Sequence, residues 1–570
     1  MRTTNLHNRI ISILILLATI GWASAGCSGT DSNGTGTPPG TGGQTNPTTT
    51  IPNKAGMTLK GQVTCNGAGV AGVVVSDGIE VTTTDSKGIY YLPSKKKFGY
   101  VFISTPAGYE VPVSGNTPCF FERVNKLKPA ETEQKDFTLT RTDNDKHAVL
   151  AMADFHLANR NNDLGQFRQM AADINATVLE LRNQGYKVYG LSLGDESWDL
   201  YWYENNFSIA EAFRQLQQIN CPFYHCMGNH DNDPYYADDW QAEQKFIENF
   251  PAYYSFNAGK VHYVVMDDIE YLNTGGSIGT VGERNFNAAI AEEEMEWLKK
   301  DLAQVSDKSR PLVIALHAPL YGSPSTDAAG HTTADYRLDN AAGLMNAVSA
   351  FGNVQVLSGH THVNYNVDRP ANVHEHNTAA ICATWWWTDK LTDGRQHVCS
   401  DGTPGGYGVY LFNGTDMSRY YKAKGHDSSY QFRTYDLNET HILSSDINDP
   451  DGQLHTYAHG YDKITAGNEV LVNVWNYDES WKVEVLEAGM PLAVTRIAGY
   501  DPLHILAYEV QRISAGHAPT KSFLTTRTAH LFKVRASSAT STLTIRVTDG
   551  FGRVYTEEMV RPKAFGLTMK

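Results

Sequence analysis

The chain has 570 residues, of which 41% are hydrophobic and 19% charged, so it is globular in composition and too long for one compact core. Its formal charge of −15 excludes a surface built to coat nucleic acid, because such a surface needs a basic patch and the sequence shows none. An acidic balance does not exclude phosphate chemistry in which metal ions supply the positive charge.

The first 26 residues are typical of a secretory signal peptide, with Arg2 and Arg9, the apolar run IISILILLATIGWA and then small residues. Two cleavage sites are open, because AGC resembles a bacterial lipobox that would leave Cys27 lipidated, whereas ASA (23–25) is an ordinary A-x-A site. We favour lipidation, since residues 27–56 form a Ser/Gly/Thr/Pro-rich flexible tether. We therefore expect an exported protein, either an outer-membrane or cell-envelope lipoprotein held through Cys27 or a periplasmic or secreted one.

Three folded domains are expected after the tether. Residues 57–142 show short alternating runs broken by Gly, Asp and Ser-Lys-Gly turns, which predict a small β-sandwich of prealbumin or immunoglobulin type that acts as a spacer or packing partner. Residues 143–398 alternate buried strands with helices, which predicts an α/β layered domain with ligands at the carboxyl ends of its strands. Residues 399–570 return to strand–turn patterns and predict a β-rich C-terminal domain.

Six cysteines follow the tether, and an exported protein can use them in disulfides. Cys221 and Cys226 are not expected to pair with each other, because five strand residues separate two Cα atoms by far more than about 7 Å. The plausible bridges are Cys65–Cys119 and Cys382–Cys399.

Polar residues follow five of the predicted strands in the central domain. Each motif alone is common, but five separate motifs in one fixed order, each at the end of an apolar run, would rarely arise by chance. Imidazole, carboxylate and amide oxygen without thiolate suit ions such as Zn, Mn or Fe. The residues are Asp154 and His156 (ADFH), Asp195 (LGDE), Asn229, His230 and Asp231 (GNHD), His317 (LHAP), and His360 and His362 (GHTH).

In these motifs the chain resembles the calcineurin-like metallophosphoesterases, whose pattern is D-x-H, G-D, G-N-H-D/E, H and G-H-x-H, over residues 147–365. The runs ICATWWW, DGTPGGYGVY and TRIAGYDPL further resemble a bacterial exported subfamily with β domains on both sides of the catalytic domain. The resemblance implies an αββα-type layered domain and two divalent or trivalent metal ions. One metal would be held by Asp154, His156, Asp195 and His362, and the other by Asp195, Asn229, His317 and His360, with Asp195 as the bridge.

Two metals about 3.5–4 Å apart can clamp the attacking and leaving oxygens at phosphorus, and a water between them readily becomes hydroxide. His230 lies outside the ligand set and is predicted to donate the proton to the leaving group. Asp231 is predicted either to orient His230 or to support the ligands from outside, and Gly228 to allow a sharp turn. Trp198 stands where purple acid phosphatases carry a Tyr ligand, and they lack the equivalent of His156, so an iron–tyrosinate enzyme is excluded.

Several residues are candidates for contact with substrate. In the run Trp385–Trp387, read as a strand, we expect at least one ring in the core, whereas another could stack on a substrate near the metals. The Gly-rich excursion 269–286 is long enough for a lid or substrate loop. The remaining candidates are Tyr407, which is expected to face the cleft, and His331 or Arg337, which could contact phosphate.

The leading hypothesis is metal-dependent hydrolysis of a phosphate ester, with monoester and diester both open. A second enzyme hypothesis is a 5'-nucleotidase-like hydrolase whose C-terminal domain stacks the base. A third is a non-catalytic surface binding protein that retains the fold. The expected partner is a phosphate-ester substrate, with membrane association only through Cys27, and the oligomeric state stays open.

Overall fold

The computed structural model describes residues 50–326, 332–368 and 372–570. The predicted signal peptide, the lipidation site Cys27 and His331 lie outside these residues, so export and lipidation stay predictions. Within the described residues, no helix combines the length and the apolar character that a bilayer crossing needs.

Residues 57–142 form two small sheets and a hairpin. Their strands are β1 (Leu59–Cys65), β2 (Ala68–Gly69), β3 (Val74–Ser76), β4 (Val81–Thr83), β5 (Ile89–Leu92), β6 (Tyr100–Ser104), β7 (Tyr109–Glu110), β8 (Val113–Ser114), β9 (Thr117–Pro118), β10 (Phe121–Arg123), β11 (Glu133–Gln134) and β12 (Phe137–Arg141). One sheet has the order β11-β1-β12-β7 with β2 and β5 on β1, the other has the order β10-β6-β3-β4, and β8 pairs with β9. Alternate residues of β1 are buried, as expected of a strand with one face on a core.

The central part of the chain alternates strands and helices. Its strands are β13 (Lys146–Met152), β14 (Lys187–Ser192), β15 (Phe223–Tyr224), β16 (Tyr254–Ala258), β17 (Val261–Val265), β18 (Ile269–Tyr271), β19 (Phe286–Ala288), β20 (Leu312–Ala315), β21 (Ser325–Thr326), β22 (Thr332–Thr333), β23 (Val354–Ser358), β24 (Tyr365–Asp368), β25 (Val373–Asn377), β26 (Gly406–Asn413) and β27 (Asp416–Ala423). Its helices are α1 (Asp163–Asn183), α2 (Ile209–Leu216), α3 (Asp239–Ala242), α4 (Gln244–Ile247), α5 (Glu292–Gln304), α6 (Ala341–Val348) and α7 (Trp387–Leu391).

Two sheets form the middle layers of this domain, with strand orders β15-β14-β13-β26-β27 and β16-β17-β20-β23-β25-β24. β13, β14 and β15 run parallel to one another, as do β17, β20 and β23. β13 and β20 are buried almost throughout, because both faces of their sheets are covered. The carboxyl ends of β13, β14, β15, β20 and β23 are the ends that carry the five motifs.

The C-terminal part forms two four-stranded antiparallel sheets with the orders β28-β29-β33-β32 and β31-β30-β34-β35. Valines and isoleucines from both sheets share one apolar core. The strands are β28 (Phe432–Asp436), β29 (Glu469–Val474), β30 (Lys482–Glu487), β31 (Met490–Pro491), β32 (Val494–Gly499), β33 (Thr528–Arg535), β34 (Leu543–Thr548) and β35 (Val554–Met559), and the helices are α8 (Leu454–Tyr457), α9 (Pro502–Ala507) and α10 (Glu509–Ser514). This three-part layout confirms the predicted fold class.

The N-terminal sheets pack directly on the central domain. The indole N–H of Trp297 in α5 donates to Ser76 Oγ at 3.1 Å, and the Asn116 side chain donates to the Leu216 carbonyl at the end of α2 at 2.8 Å. Both bonds are buried, so they fix the orientation of the two parts where water cannot compete.

Two expectations from the sequence are wrong. The boundary at 398/399 cuts off β26 and β27, yet β26 pairs antiparallel with β13 in the middle of a central sheet. An alternating strand pattern does not say which sheet a strand joins, because that depends on a pairing distant in sequence. The two disulfides are not formed either, since Cys65, Cys382 and Cys399 are free buried thiols.

Candidate active site

The structure brings all seven predicted metal-ligating residues together at one edge of the central domain. Six are buried, and only His360 is part-exposed. They arrive there because parallel strands of the two sheets end side by side, so turns far apart in sequence become neighbours. The seven are Asp154, His156, Asp195, Asn229, His317, His360 and His362.

The first group of donors surrounds His156. Its Nε2 lies 2.8 Å from Nε2 of His362 and 3.6 Å from Asp195 Oδ2. Asp154 Oδ1 lies 3.4 Å from His362 Nε2 and 3.9 Å from His156 Nε2. Two imidazole nitrogens and two carboxylates therefore point at one small volume.

The second group surrounds His317. Its Nε2 lies 3.2 Å from Asp195 Oδ2, 3.0 Å from Asn229 Oδ1 and 3.1 Å from His360 Nδ1. Asp195 Oδ2 thus belongs to both groups, which is the arrangement expected of a bridging carboxylate. His360 is also tied to the first group, because its backbone N–H donates to both Asp154 carboxylate oxygens at 3.0 and 3.1 Å.

Backbone carbonyls set the orientation of two of the imidazoles. His317 Nδ1 donates to the Leu193 carbonyl at 2.8 Å, and His362 Nδ1 donates to the Ala383 carbonyl at 3.2 Å. With the proton on Nδ1, each ring presents the lone pair of Nε2 to the donor groups. Contacts of this kind fix the tautomer of a metal-binding histidine.

Five of the seven residues have left-handed backbone conformations, which are uncommon for residues other than glycine. The φ angles are 58° at Asp154, 44° at His156, 55° at Asp195, 68° at His360 and 58° at His362. Such conformations cost of order 1–3 kcal/mol each and concentrate at functional sites. The turns after β13, β14 and β23 are therefore bent to aim side chains at a common point.

These donors fit two cations. Burial raises the pKa of Asp154 well above its usual value and lowers that of His156 well below its own, so the pocket disfavours charge on its donors unless a positive ion accompanies them. Histidine, aspartate and asparagine are suitable ligands for Zn, Mn or Fe. The Cys382 thiol also lies beside the His156 and His362 imidazoles, with the ligand atoms of these three residues within 4.8 Å of one another.

His230 lies beside the donors and is held by a carboxylate, Asp199, that was not predicted from the sequence. Its Nδ1 bonds Asp199 Oδ1 at 2.7 Å, and its backbone N–H donates to Asp195 Oδ1 at 2.8 Å. Burial by itself lowers the pKa of His230, but the Asp199 and Asp195 carboxylates outweigh it and raise that pKa. The sequence feature that could have identified Asp199 is its position as a further carboxylate four residues after Asp195, in GDESWD.

Asp231 does not orient His230, so that alternative is wrong. Its carboxylate accepts from the backbone N–H groups of Ser197 at 2.8 Å and Gly228 at 3.0 Å. Burial and the nearby Asp195 carboxylate raise its pKa to about 8. Asp231 instead ties the loop that carries Asn229 to the loop that carries Asp195.

Three family matches cover most of the chain. Residues 57–142 match the N-terminal part of calcineurin-like phosphoesterases, residues 147–364 the calcineurin-like phosphoesterase domain, and residues 375–555 the C-terminal part. The chain belongs to the calcineurin-like phosphoesterase family. Metal-dependent hydrolysis of phosphate esters with two metal ions is the chemistry of this family, and the described residues include groups of side chains that could hold metal ions, among them one formed by His156, Asp195 and His230.

No curated protein matches this phosphoesterase. Among solved structures, a dimetal phosphatase from Danio rerio is 12% identical with a TM-score of 0.34, over 49% of this chain and 97% of that one. A 5'-nucleotidase from Candida albicans SC5314 is 11% identical with a TM-score of 0.32, over 64% and 74%. Purple acid phosphatase PPD1 from yellow lupin is 12% identical with a TM-score of 0.32, over 50% and 52%. Likenesses this low carry no argument about function.

The tryptophan run of the phosphoesterase is not a strand, since Trp385 and Trp386 lie in a turn and Trp387 begins α7. Trp386 is buried, whereas Trp385 is half-buried and stacks on the His362 ring at 3.9 Å and on Phe523 at 4.4 Å. Both tryptophans have positive φ, which breaks the alternation of a strand. Trp386 therefore packs in the core, and Trp385 lies beside the metal-ligating residues. Both faces of the Trp385 ring are near other rings.

Tyr407 does not face the site. It is fully buried in β26, and its hydroxyl bonds Thr177 at 2.8 Å and Asp173 at 3.0 Å. Because Thr177 and Asp173 belong to α1, these hydrogen bonds hold that helix against the sheet that contains β26. The expectation of a cleft-facing tyrosine is wrong.

The excursion 269–286 reaches the site from its β18–β19 hairpin. Arg284 Nη1 donates to Asp199 Oδ1 at 2.8 Å, and the Tyr271 hydroxyl donates to Asp199 Oδ2 at 3.0 Å. The Phe286 ring centre lies 5.5 Å from that of His360. These contacts place the excursion against His360 of the second donor group and against Asp199, the carboxylate that holds His230, and a lid movement stays a prediction. Arg337 is exposed and lies close enough to His360 to lower its pKa, after burial and His317.

Gly228 is required for space rather than for a turn. Its φ of −124° and ψ of 173° are extended, but a Cβ there would lie 2.3 Å from the Asp195 backbone N and 2.4 Å from Asp195 Oδ1. We expect Gly228→Ala to displace Asp195 at a cost of about 1–3 kcal/mol, lowering metal affinity and activity roughly ten- to hundredfold. Metal titration and kcat/KM measure this. Gly352→Ala is the control, since a Cβ there meets nothing within 4 Å, and wild-type affinity in Gly228→Ala would contradict the steric argument.

Proposed function

We propose that the protein hydrolyses a phosphate ester with two metal ions held by its two donor groups. One ion would take Asp154, His156, Asp195 and His362, and the other Asp195, Asn229, His317 and His360. The observation that carries this proposal is the position of Asp195 Oδ2, 3.6 Å from His156 Nε2 and 3.2 Å from His317 Nε2. A single carboxylate oxygen placed between two ligand sets supports a bridged pair.

When bound, two cations would supply positive charge for the phosphoryl oxygens and lower the pKa of water so that hydroxide is present near neutral pH. The chain supplies what surrounds them. Asp195 and Asp154 bring negative charge that offsets the cations. The two side chains are only 1% and 0% exposed, so competing water is kept away from them. Such a site strengthens every charge interaction inside it.

His230 is proposed to donate a proton from Nε2 to the leaving oxygen. Asp199 holds Nδ1 at 2.7 Å, which leaves Nε2 free, and the His230 side chain is 21% exposed where the site opens. Asp199 also accepts from Arg284, the Tyr271 hydroxyl and the Leu200 backbone N–H, so this carboxylate has one fixed orientation. The hydrogen bond from the His230 backbone N–H to Asp195 holds the proposed proton donor at a fixed position relative to the metal-ligating residues.

Hydrolysis of p-nitrophenyl phosphate and bis-p-nitrophenyl phosphate by protein loaded with Mn, Fe or Zn tests the proposal. We expect turnover of at least one ester and about two metal ions per chain, and the ratio of the two rates assigns monoesterase or diesterase. Asn229→Ala should lose one metal and most activity. Asn448→Ala, an exposed residue in the C-terminal domain, should lose neither.

Two results would redirect the assignment. Two bound metals without turnover of these esters or of nucleotides would favour a binding protein that retains the fold. Strong preference for nucleoside monophosphates over p-nitrophenyl phosphate would favour the nucleotidase alternative.

A further inference from the structure

A group of cationic and aromatic side chains borders the site between the central and C-terminal domains. Three cations lie within 6 Å of the ring centre of Trp387: Lys390 Nζ at 4.9 Å, the Arg512 guanidinium at 5.3 Å and the Arg160 guanidinium at 5.9 Å. Arg160 also lies 4.3 Å from the ring centre of Tyr201. We call Arg160, Lys390, Arg512, Trp387 and Tyr201 the basic cluster. Its Arg512 comes from α10, so it forms only where the two domains meet.

The cations of the basic cluster have no carboxylate partner among the described residues. The Arg160 guanidinium makes no hydrogen bond or ion pair to any residue that the structure describes, and Arg512 has a buried Nε without a partner and one long 3.5 Å bond to the Ala518 carbonyl. Lys390 donates to the neutral Asn161 Oδ1 at 2.7 Å. Aromatic faces stabilise such cations by only about 0.5–2 kcal/mol each.

Acidic groups on neighbouring elements are engaged elsewhere. Asp163, at the start of α1, accepts three backbone N–H bonds, from residues 158, 160 and 164, and it lies near enough to Arg160 for that cation to lower its pKa without forming an ion pair. Asp389 pairs with Lys424, and Glu509 accepts from Thr525. Among the described residues none of the three cations forms an ion pair with a carboxylate, so in a chain of net charge −15 they form a local positive field.

The basic cluster is one aromatic ring away from the proposed proton donor. Arg160 lies 5.0 Å from the ring centre of Trp198, which in turn lies 5.6 Å from the His156 ring and 6.3 Å from the His230 ring. Arg160 is only four residues beyond His156, and the intervening loop is fixed by the Asn205 side chain donating to the Ala158 carbonyl at 2.7 Å. The guanidinium is thus held at a set distance from the donors.

We propose that the basic cluster binds a second anionic group, a phosphate or carboxylate, on the leaving part of the substrate. His230 marks the leaving-group side, and Trp198 connects that side to Arg160, so the remainder of the leaving alcohol extends over Trp198 toward the cations. Arginine is suited to this task because its planar fork binds oxyanions in two places. The inference rests on the proposed function and adds the substrate class, a phosphate ester whose alcohol is itself anionic.

Competition against p-nitrophenyl phosphate hydrolysis tests the subsite, with glucose 1-phosphate and glucose 1,6-bisphosphate as probes of one and two anionic groups. A competing ligand raises the apparent KM whether or not it is itself hydrolysed. We expect the bisphosphate to have an inhibition constant at least about tenfold lower in the wild type, and this ratio to fall below about twofold in Arg160→Gln and in Arg512→Gln. Because the ratio is measured on one protein, loss of folded enzyme cancels.

Arg160→Lys should keep part of the ratio, and Arg535→Gln, an exposed arginine paired with Glu469 in β29, should keep all of it. A ratio near one in the wild type, or an unchanged ratio in both glutamine variants, would overturn the subsite. Failure of the proposed function is a separate outcome, namely no ester hydrolysis by the metal-loaded wild type. In that event calorimetric binding of the two sugar phosphates, with the same variants and the same criterion, decides on the subsite alone.

Discussion

Asp195→Asn is expected to remove both metal ions and to lower kcat/KM by at least about 10³, which corresponds to about 4 kcal/mol of transition-state stabilisation. Asp195 Oδ2 lies 3.6 Å from His156 Nε2 and 3.2 Å from His317 Nε2, so its replacement weakens both donor groups together. Burial would raise the pKa of Asp195, but the His317 and His230 imidazoles outweigh it and hold that pKa well below its usual value. The native group is therefore an anion, and an amide of the same shape lacks its charge.

Metal content per chain, measured by atomic emission after gel filtration, reports this effect directly. The matched control is Asp307→Asn, an exposed aspartate in the loop between α5 and β20 that accepts from the Ser309 backbone at 3.0 Å. It should keep both metals and full activity. Retention of two metals by Asp195→Asn would contradict the assignment of Asp195 as the bridge.

His230→Gln is expected to keep both metals and to lose about 10²–10⁴ in kcat on phenyl phosphate, because proton donation contributes rate factors of that size. Phenol resembles a tyrosine side chain, with a pKa of about 10, and leaves poorly without a proton. p-Nitrophenol is a stronger acid and leaves as its anion, so the loss on p-nitrophenyl phosphate should be much smaller. The difference between the two esters separates a proton donor from a group that only binds substrate.

Asp199→Asn should show the same pattern in weaker form, about tenfold on phenyl phosphate, since Asp199 acts by positioning His230 through its 2.7 Å bond. The control is His455→Gln, whose side chain is 81% exposed beside Asp462. Equal losses on both esters in His230→Gln, or loss of metal, would assign His230 to binding and not to proton donation.

The sequence by itself determined the order of the main elements and the chemistry of the site. The apolar runs before Asp154, Asp195 and His317 are buried strands, since their pattern records burial on both faces. Because parallel strands align their carboxyl ends, residues at those ends had to converge wherever the sheets placed them. The convergence of these residues was therefore predictable without coordinates, and their role as metal ligands stays a prediction.

Only the tertiary structure decided which groups support these residues. Asp199 holds His230, and Asp231 instead binds backbone of the neighbouring loop, because the turn after β14 brings Asp199 to the imidazole. The strand β26 joins the central sheet, and Arg512 of α10 and Arg160 both lie near the ring of Trp387. Each of these contacts joins residues that are brought together by the packing of distant parts of the chain. A single sequence indicates burial and secondary-structure propensity at each position, but it does not indicate which distant residue packs there.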